Sequence, residues 1–97
     1  MKVFAIGSGK APLTPELRQQ YMPSEVPATL RLYLDGKMEQ FWFRGDTPGV
    51  VFLMSVESVD EAREVIGALP LASAGILNFE FIPVGPLAPL GLLIQGK

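Results

Sequence analysis

The sequence predicts an α+β domain of the ferredoxin-like type: one antiparallel sheet with two helices on one face, in the order β-α-β-β-α-β. Three observations predict it. Residues 58–87, SVDEAREVIGALPLASAGILNFEFIPVGPL, read as a capped helix, a Leu-Pro-Leu stop and an alternating strand that ends in prolines. A strand, a helix and a hairpin precede that stretch. Two β-α-β halves with right-handed crossovers then place both helices on the same side of one sheet.

Lys2 to Ile6 is short, apolar and closed by Gly7-Ser8-Gly9, which predicts a strand and a loop. MKVFAIGSG has one basic residue and too short an apolar run for a signal peptide, so the strand reading is preferred. Thr14-Pro15 predicts a helix start, with a capping hydroxyl and proline at the first helical position. Leu13, Leu17 and Tyr21 follow at helical spacing. Pro23 is expected to kink the helix or end it, with Ser24 capping a restart that tolerates Pro27 in its first turn. Val26, Leu30, Tyr33 and Leu34 make an apolar stripe, and Asp35-Gly36 closes the helix with a left-handed glycine.

Met38 to Arg44, with Phe41, Trp42 and Phe43, predicts a strand covered on both faces. Gly45 to Gly49 is a turn, and Val50 to Val56 is the second strand of a hairpin. Ser58-Val59-Asp60-Glu61 fits a capping box. Val59, Ala62, Ile66 and Leu69 line one face of the helix it opens, and Pro70 is expected to stop that helix. Ile76 to Pro83 predicts the last strand, with Leu77, Phe79 and Phe81 on one face and Asn78 and Glu80 on the other.

The chain has 97 residues, the size of one domain, here 1–97 with an apolar C-terminal extension over 86–97. Hydrophobic residues make up 48% of it. The mean hydropathy of +0.31 is high for so small a domain and predicts apolar surface hidden in a partner subunit. Net charge is -2, and the eight basic residues are scattered, so no positive surface for nucleic acid or for a membrane is expected. With no cysteine, disulfides and thiolate chemistry are excluded. With no histidine, the commonest metal ligand and neutral-pH acid-base group is missing. No cofactor or metal is expected. No run approaches the roughly 18 apolar residues of a membrane span, and a cytoplasmic location is the default expectation.

With both helices on one face, the other face of the sheet is bare. Phe41, Phe43, Leu77, Phe79 and Phe81 are expected under the helices. Gln40, Trp42 and Arg44, which share a face with Met38, and Ile76, Asn78, Glu80 and Ile82 are expected on the bare face, provided no bulge inverts the second strand. Polar groups converging on a mixed surface suit a small-molecule pocket, which two bare faces would enclose in a homodimer or larger homo-oligomer.

The run S-x-D-E, apolar helix, L-P-L and alternating strand ending P-x-x-P-L resembles the muconolactone isomerase family. The helix over 24–37, ending Leu-Asp-Gly-Lys before an aromatic strand, resembles it too. The resemblance spans roughly residues 3–87. It implies a dimeric α+β barrel, often built into rings, and a cofactor-free proton shift that moves a double bond in an unsaturated lactone. The chain departs from the family in lacking histidine, in Pro23 and Pro27, and in its LGLLIQGK tail.

Within that frame Glu80 is the candidate base, since a dry cavity raises a carboxyl pKa toward neutrality. Arg44 is the candidate anchor for a substrate carboxylate, Trp42 a pocket wall, and Gln40 and Asn78 further substrate contacts. Each has a plainer alternative. Glu80 could be a solvated or salt-bridged edge carboxylate, Arg44 a strand-end arginine paired to Asp46, and Trp42 simple core. Ser8 is read as part of a flexible turn, because Gly-Ser-Gly lacks the full spacing of a phosphate loop. The tail over 86–94 is expected to pack across a neighbouring subunit. The competing function is a non-catalytic ligand-binding or assembly module.

Overall fold

The computed structural model describes residues 1–9 and 13–85; the expectation for the tail lies outside them. Seven elements follow one another: β1 (Lys2–Ser8), α1 (Pro15–Leu34), β2 (Met38–Phe43), β3 (Gly49–Ser55), α2 (Val59–Gly67), α3 (Pro70–Ser73) and β4 (Asn78–Val84). The strands form one antiparallel sheet in the order β2-β3-β1-β4, with the helices on one side. This is the α+β, ferredoxin-like arrangement the sequence predicts.

Local chemistry sets the element ends. The Leu17 N–H donates to Thr14 Oγ1 at 3.2 Å, and Pro15 opens α1. At the other end Gly36, at φ +81°, lets two N–H groups fold back. Gly36 N–H reaches Tyr33 O at 3.1 Å and Lys37 N–H reaches Leu32 O at 3.0 Å, a Schellman closure. Ser58 caps α2 through the Glu61 N–H at 3.1 Å. The Glu61 carboxylate pairs with Lys37 at 3.7 Å, on the chain segment between α1 and β2.

Several expectations are corrected, among them that of a β2 covered on both faces with Phe43 under the helices: Phe41, Trp42 and Phe43 are all exposed. α1 runs unbroken through Pro23 and Pro27. Ser24 does not cap a restart; its hydroxyl donates back to Tyr21 O at 3.1 Å. Pro70 is the first residue of α3 rather than a bare stop, since proline suits a first helical turn. The apolar stripe of α1, Val26, Leu30, Tyr33 and Leu34, stays exposed, Leu34 at 80%. Met38 belongs with the core at 1% exposure and not with Gln40 and Trp42, because a bulge at Glu39 resets the alternation of β2.

The core lies between the sheet and the helices. Val3, Ala5, Phe52 and Met54 from the central strands meet Ala62, Ile66 and Leu69 from the α2 side. Phe79 and Phe81 of β4 pack against this cluster, and the Arg63 guanidinium sits 5.1 Å over the Phe81 ring. Gly7, opposite Phe79 and Val50 in the register, is buried. A Cβ there would lie 2.7 Å from the Phe79 ring. The missing side chain lets that ring lie across β1 and stack on Phe52 at 5.9 Å and 27°.

Gly7→Ala is therefore expected to destabilise the fold by about 1–3 kcal/mol, the range for overpacking a filled site. Urea denaturation measures it. In a Phe79→Ala background the same change should cost distinctly less; an equal cost would mean that Phe79 does not set the limit.

Candidate functional site

A cavity of about 760 Å³ lies between α1 and the sheet, on the helix side. Its floor is Val50, Phe52 and Phe79, and its inner end is closed by Leu69, Leu71, Ile76 and Leu77. Arg18, Met22, Glu25 and Thr29 line it from α1. Their spacing of four, three and four residues keeps them on one helical face. The cavity opens along the β2 edge, where Phe41 is exposed and Phe43 is 90% exposed.

Glu25 is the polar side chain buried in this apolar chamber, at 9% exposure. Its Oε1 accepts the Leu71 N–H at 3.1 Å, which ties α1 to the start of α3. Its Oε2 is buried with no hydrogen-bond partner. Burial pushes its pKa above the ordinary carboxylate value, and the Leu71 bond opposes that rise only in part. A carboxyl in the wall of a cavity, with its pKa pushed up and one oxygen unpaired, can accept or deliver a proton.

The five residues singled out from the sequence sit elsewhere or at the rim. The register places Gln40 and Trp42 of β2, and Asn78 and Glu80 of β4, on the uncovered face. β2 and β4 are opposite edges of the sheet, three strand spacings or about 14 Å apart. One chain therefore does not bring the two pairs together. Trp42 and Arg44 join the cavity lining at its open end; Gln40, Asn78 and Glu80 do not.

Arg44 is held in place by three bonds. Its Nε and Nη2 donate to Asp46 at 3.0 and 2.7 Å, and its Nη1 donates to Ser8 Oγ at 2.7 Å. The Asp46 bond holds the guanidinium pKa above its usual value, with a smaller contribution from the charge of Glu80. The same bond lowers the Asp46 pKa. The pairing with Asp46 is the plainer of the two sequence readings for Arg44.

Sequence reasoning missed Glu25. After Ser24, read as a cap, an acid looks like an ordinary first-turn residue. The signal that could have found it is its spacing from Arg18 and Met22. Among the described residues no three acids group as metal ligands, and no helix is long and apolar enough to cross a membrane.

No family model matches the chain, and no curated protein sequence does. Solved structures do. Muconolactone isomerase superposes with a TM-score of 0.73 at 19% identity, over 90% of this chain and 91% of that one. The 5-chloro-2-hydroxyhydroquinone dehydrochlorinase TftG from Burkholderia phenoliruptrix, solved with 2,5-dihydroxybenzoquinone, superposes with a TM-score of 0.71 at 15% identity, over 92% and 98%. The chain shares their fold.

The raised pKa of Glu25 has a consequence for stability. The native state holds this proton more tightly than the unfolded chain does. The resulting stabilisation is complete below the ordinary value of 4.5 and is lost as pH rises through the raised native value. Glu25→Gln should remove that slope. Its stability relative to the parent is expected to rise with pH above 4.5. Denaturation of both proteins across a pH series reads the difference, and parallel curves would contradict the burial argument.

Proposed function

We propose that this chain is an enzyme that moves a proton on an unsaturated carbonyl compound and so shifts its double bond. The observation that carries the reading is Glu25, a buried carboxyl that lines an apolar cavity and whose Oε2 has no hydrogen-bond partner. The ionised carboxylate takes a proton from the carbon next to the carbonyl. The C–H bond pair moves into the π system to form a dienolate, and Glu25 returns the proton at the far carbon of that system. A proton shift of this kind needs no redox partner. Thr29, one turn from Glu25 on the same face, is placed to donate to the enolate oxygen. The nearness of the fold to muconolactone isomerase supports the reaction class, with lactone-like acids as the first substrates to try.

Turnover of muconolactone and related β,γ-unsaturated ketones, followed by ultraviolet absorbance and by deuterium uptake from solvent, tests this. Glu25→Gln should lower turnover by about 10²–10⁴-fold, the usual contribution of a positioned acid-base group. Glu80→Gln should leave it nearly unchanged. The reverse outcome would move the site to the uncovered face. That second reading has one observation in its favour: the Glu80 charge reaches Arg44, which bonds Ser8 on that face.

The uncovered face also supports self-association. Phe4, Ile6, Val51, Leu53, Trp42 and Ile82 share it, and Trp42 is 45% exposed. We propose that a second copy covers it, sheet against sheet. Light scattering at micromolar concentration should give a dimer or a multiple of one, and Leu53→Arg should give a monomer. A parent protein that is monomeric would overturn the pairing.

A further inference from the structure

We infer that the cavity takes a flat acid of two or three fused rings that carries an enolisable carbonyl, with its carboxylate on Arg18 and the carbonyl edge at Glu25; wholly aromatic acids serve as unreactive probes of the same site. The inference rests on the proton-transfer reading for the role of Glu25 and extends it to the substrate. Three observations carry it.

The first is size. A cavity of about 760 Å³ lies in the upper part of the roughly 300–1,000 Å³ range that holds drug-sized ligands. A single-ring lactone or quinone fills only a fraction of it and leaves apolar wall exposed to water. The second is the shape of the floor. Phe52 and Phe79 lie near-parallel across the sheet because Gly7 leaves room between them. A planar ligand lying against Phe79, the less buried of the two rings, gains offset stacking as well as burial. The third is the placement of charge. Arg18 and Glu25 line the same face of α1 seven residues apart, which is about 10 Å along the helix. Among the described residues Arg18 makes no ion pair, unlike Lys2, Lys37 and Arg44. An anion on Arg18 thus starts two helical turns from Glu25, a separation that a fused-ring skeleton matches better than a one-ring acid.

The test is calorimetric titration of the full chain with benzoate, 2-naphthoate and anthracene-2-carboxylate, and with their methyl esters. Affinity should rise by about tenfold per added ring, from the apolar area each ring buries. The acids should bind better than the esters, and Arg18→Gln, a change at an exposed helix position, should abolish that preference and keep the ring-size trend. A flat series, no binding by anthracene-2-carboxylate, or an acid preference that survives Arg18→Gln would each overturn the inference. Failure of the proton-transfer reading looks different: Glu25→Gln would leave turnover intact whatever the ring series shows. Conversely, Glu25-dependent turnover of single-ring lactones with a flat ring series would sink this inference alone.

Discussion

One hydrogen bond, from the Leu71 N–H to Glu25 Oε1, decides the character of the helix side of this molecule. An ionised carboxylate withdrawn from water costs several kcal/mol even after the protein relaxes. A hydrogen bond to a charged group returns about 1.5–3 kcal/mol. One such bond does not offset the burial, and Oε2 has no bond at all. The balance is met by protonation, which is why the pKa rises. The same bond links α1 to the α3 segment where the cavity closes, so the structural tie and the chemically poised group are one side chain.

The cavity exists because the sheet and α1 do not interlock closely. The core that fills the rest of the helix side is built around α2, whose Ala62 and Ile66 meet Val3, Ala5 and Met54. Over the other half of the sheet the place of a glycine side chain is taken by the Phe79 ring, which gives a flat floor instead of a ridge. α1 lines the cavity with a mixture of polar or flexible residues, Arg18, Met22, Glu25 and Thr29, and the apolar Val26 and Leu30, rather than with the uniformly apolar face that close packing asks for. A long helix with two internal prolines also lacks the backbone donors of those two positions. These choices weaken packing and keep space open.

The parts of this architecture that depend on near neighbours were legible in the sequence. Ser58 and Thr14 as caps, Gly36 as the left-handed stop and the alternation of Phe79 with Glu80 each follow from chemistry within a few residues. The parts that depend on distant chain were not. The bulge at Glu39, whose carboxylate pairs with Lys2 of β1, moves Met38 into the core, and a period-two count over β2 alone has no access to it. The apolar stripe of α1 was visible as periodicity, but a count of periodicity does not tell what stands opposite it. The side of the sheet that holds the cavity depends on how closely α1 approaches, so the bare face, which any reader of the topology can identify, drew the candidate site to itself.

The two polar clusters of the molecule differ in what they leave undone. Arg44 is fully engaged: both edges of its guanidinium are spent on Asp46 and Ser8, at a loop open to solvent where such a pair contributes little to stability. To bind a substrate acid it must first release Asp46, a carboxylate of the same charge and geometry, so the exchange gains little. Glu25 is the opposite case. Its second oxygen has no competing partner to displace, its surroundings amplify any charge it meets, and burial makes it hold its proton more tightly than an ordinary carboxyl does. A group that is costly to keep and unsatisfied where it stands has more to gain from a ligand than one that is comfortable. That difference in unmet chemistry, more than any motif, is the physical ground for proposing a site under α1.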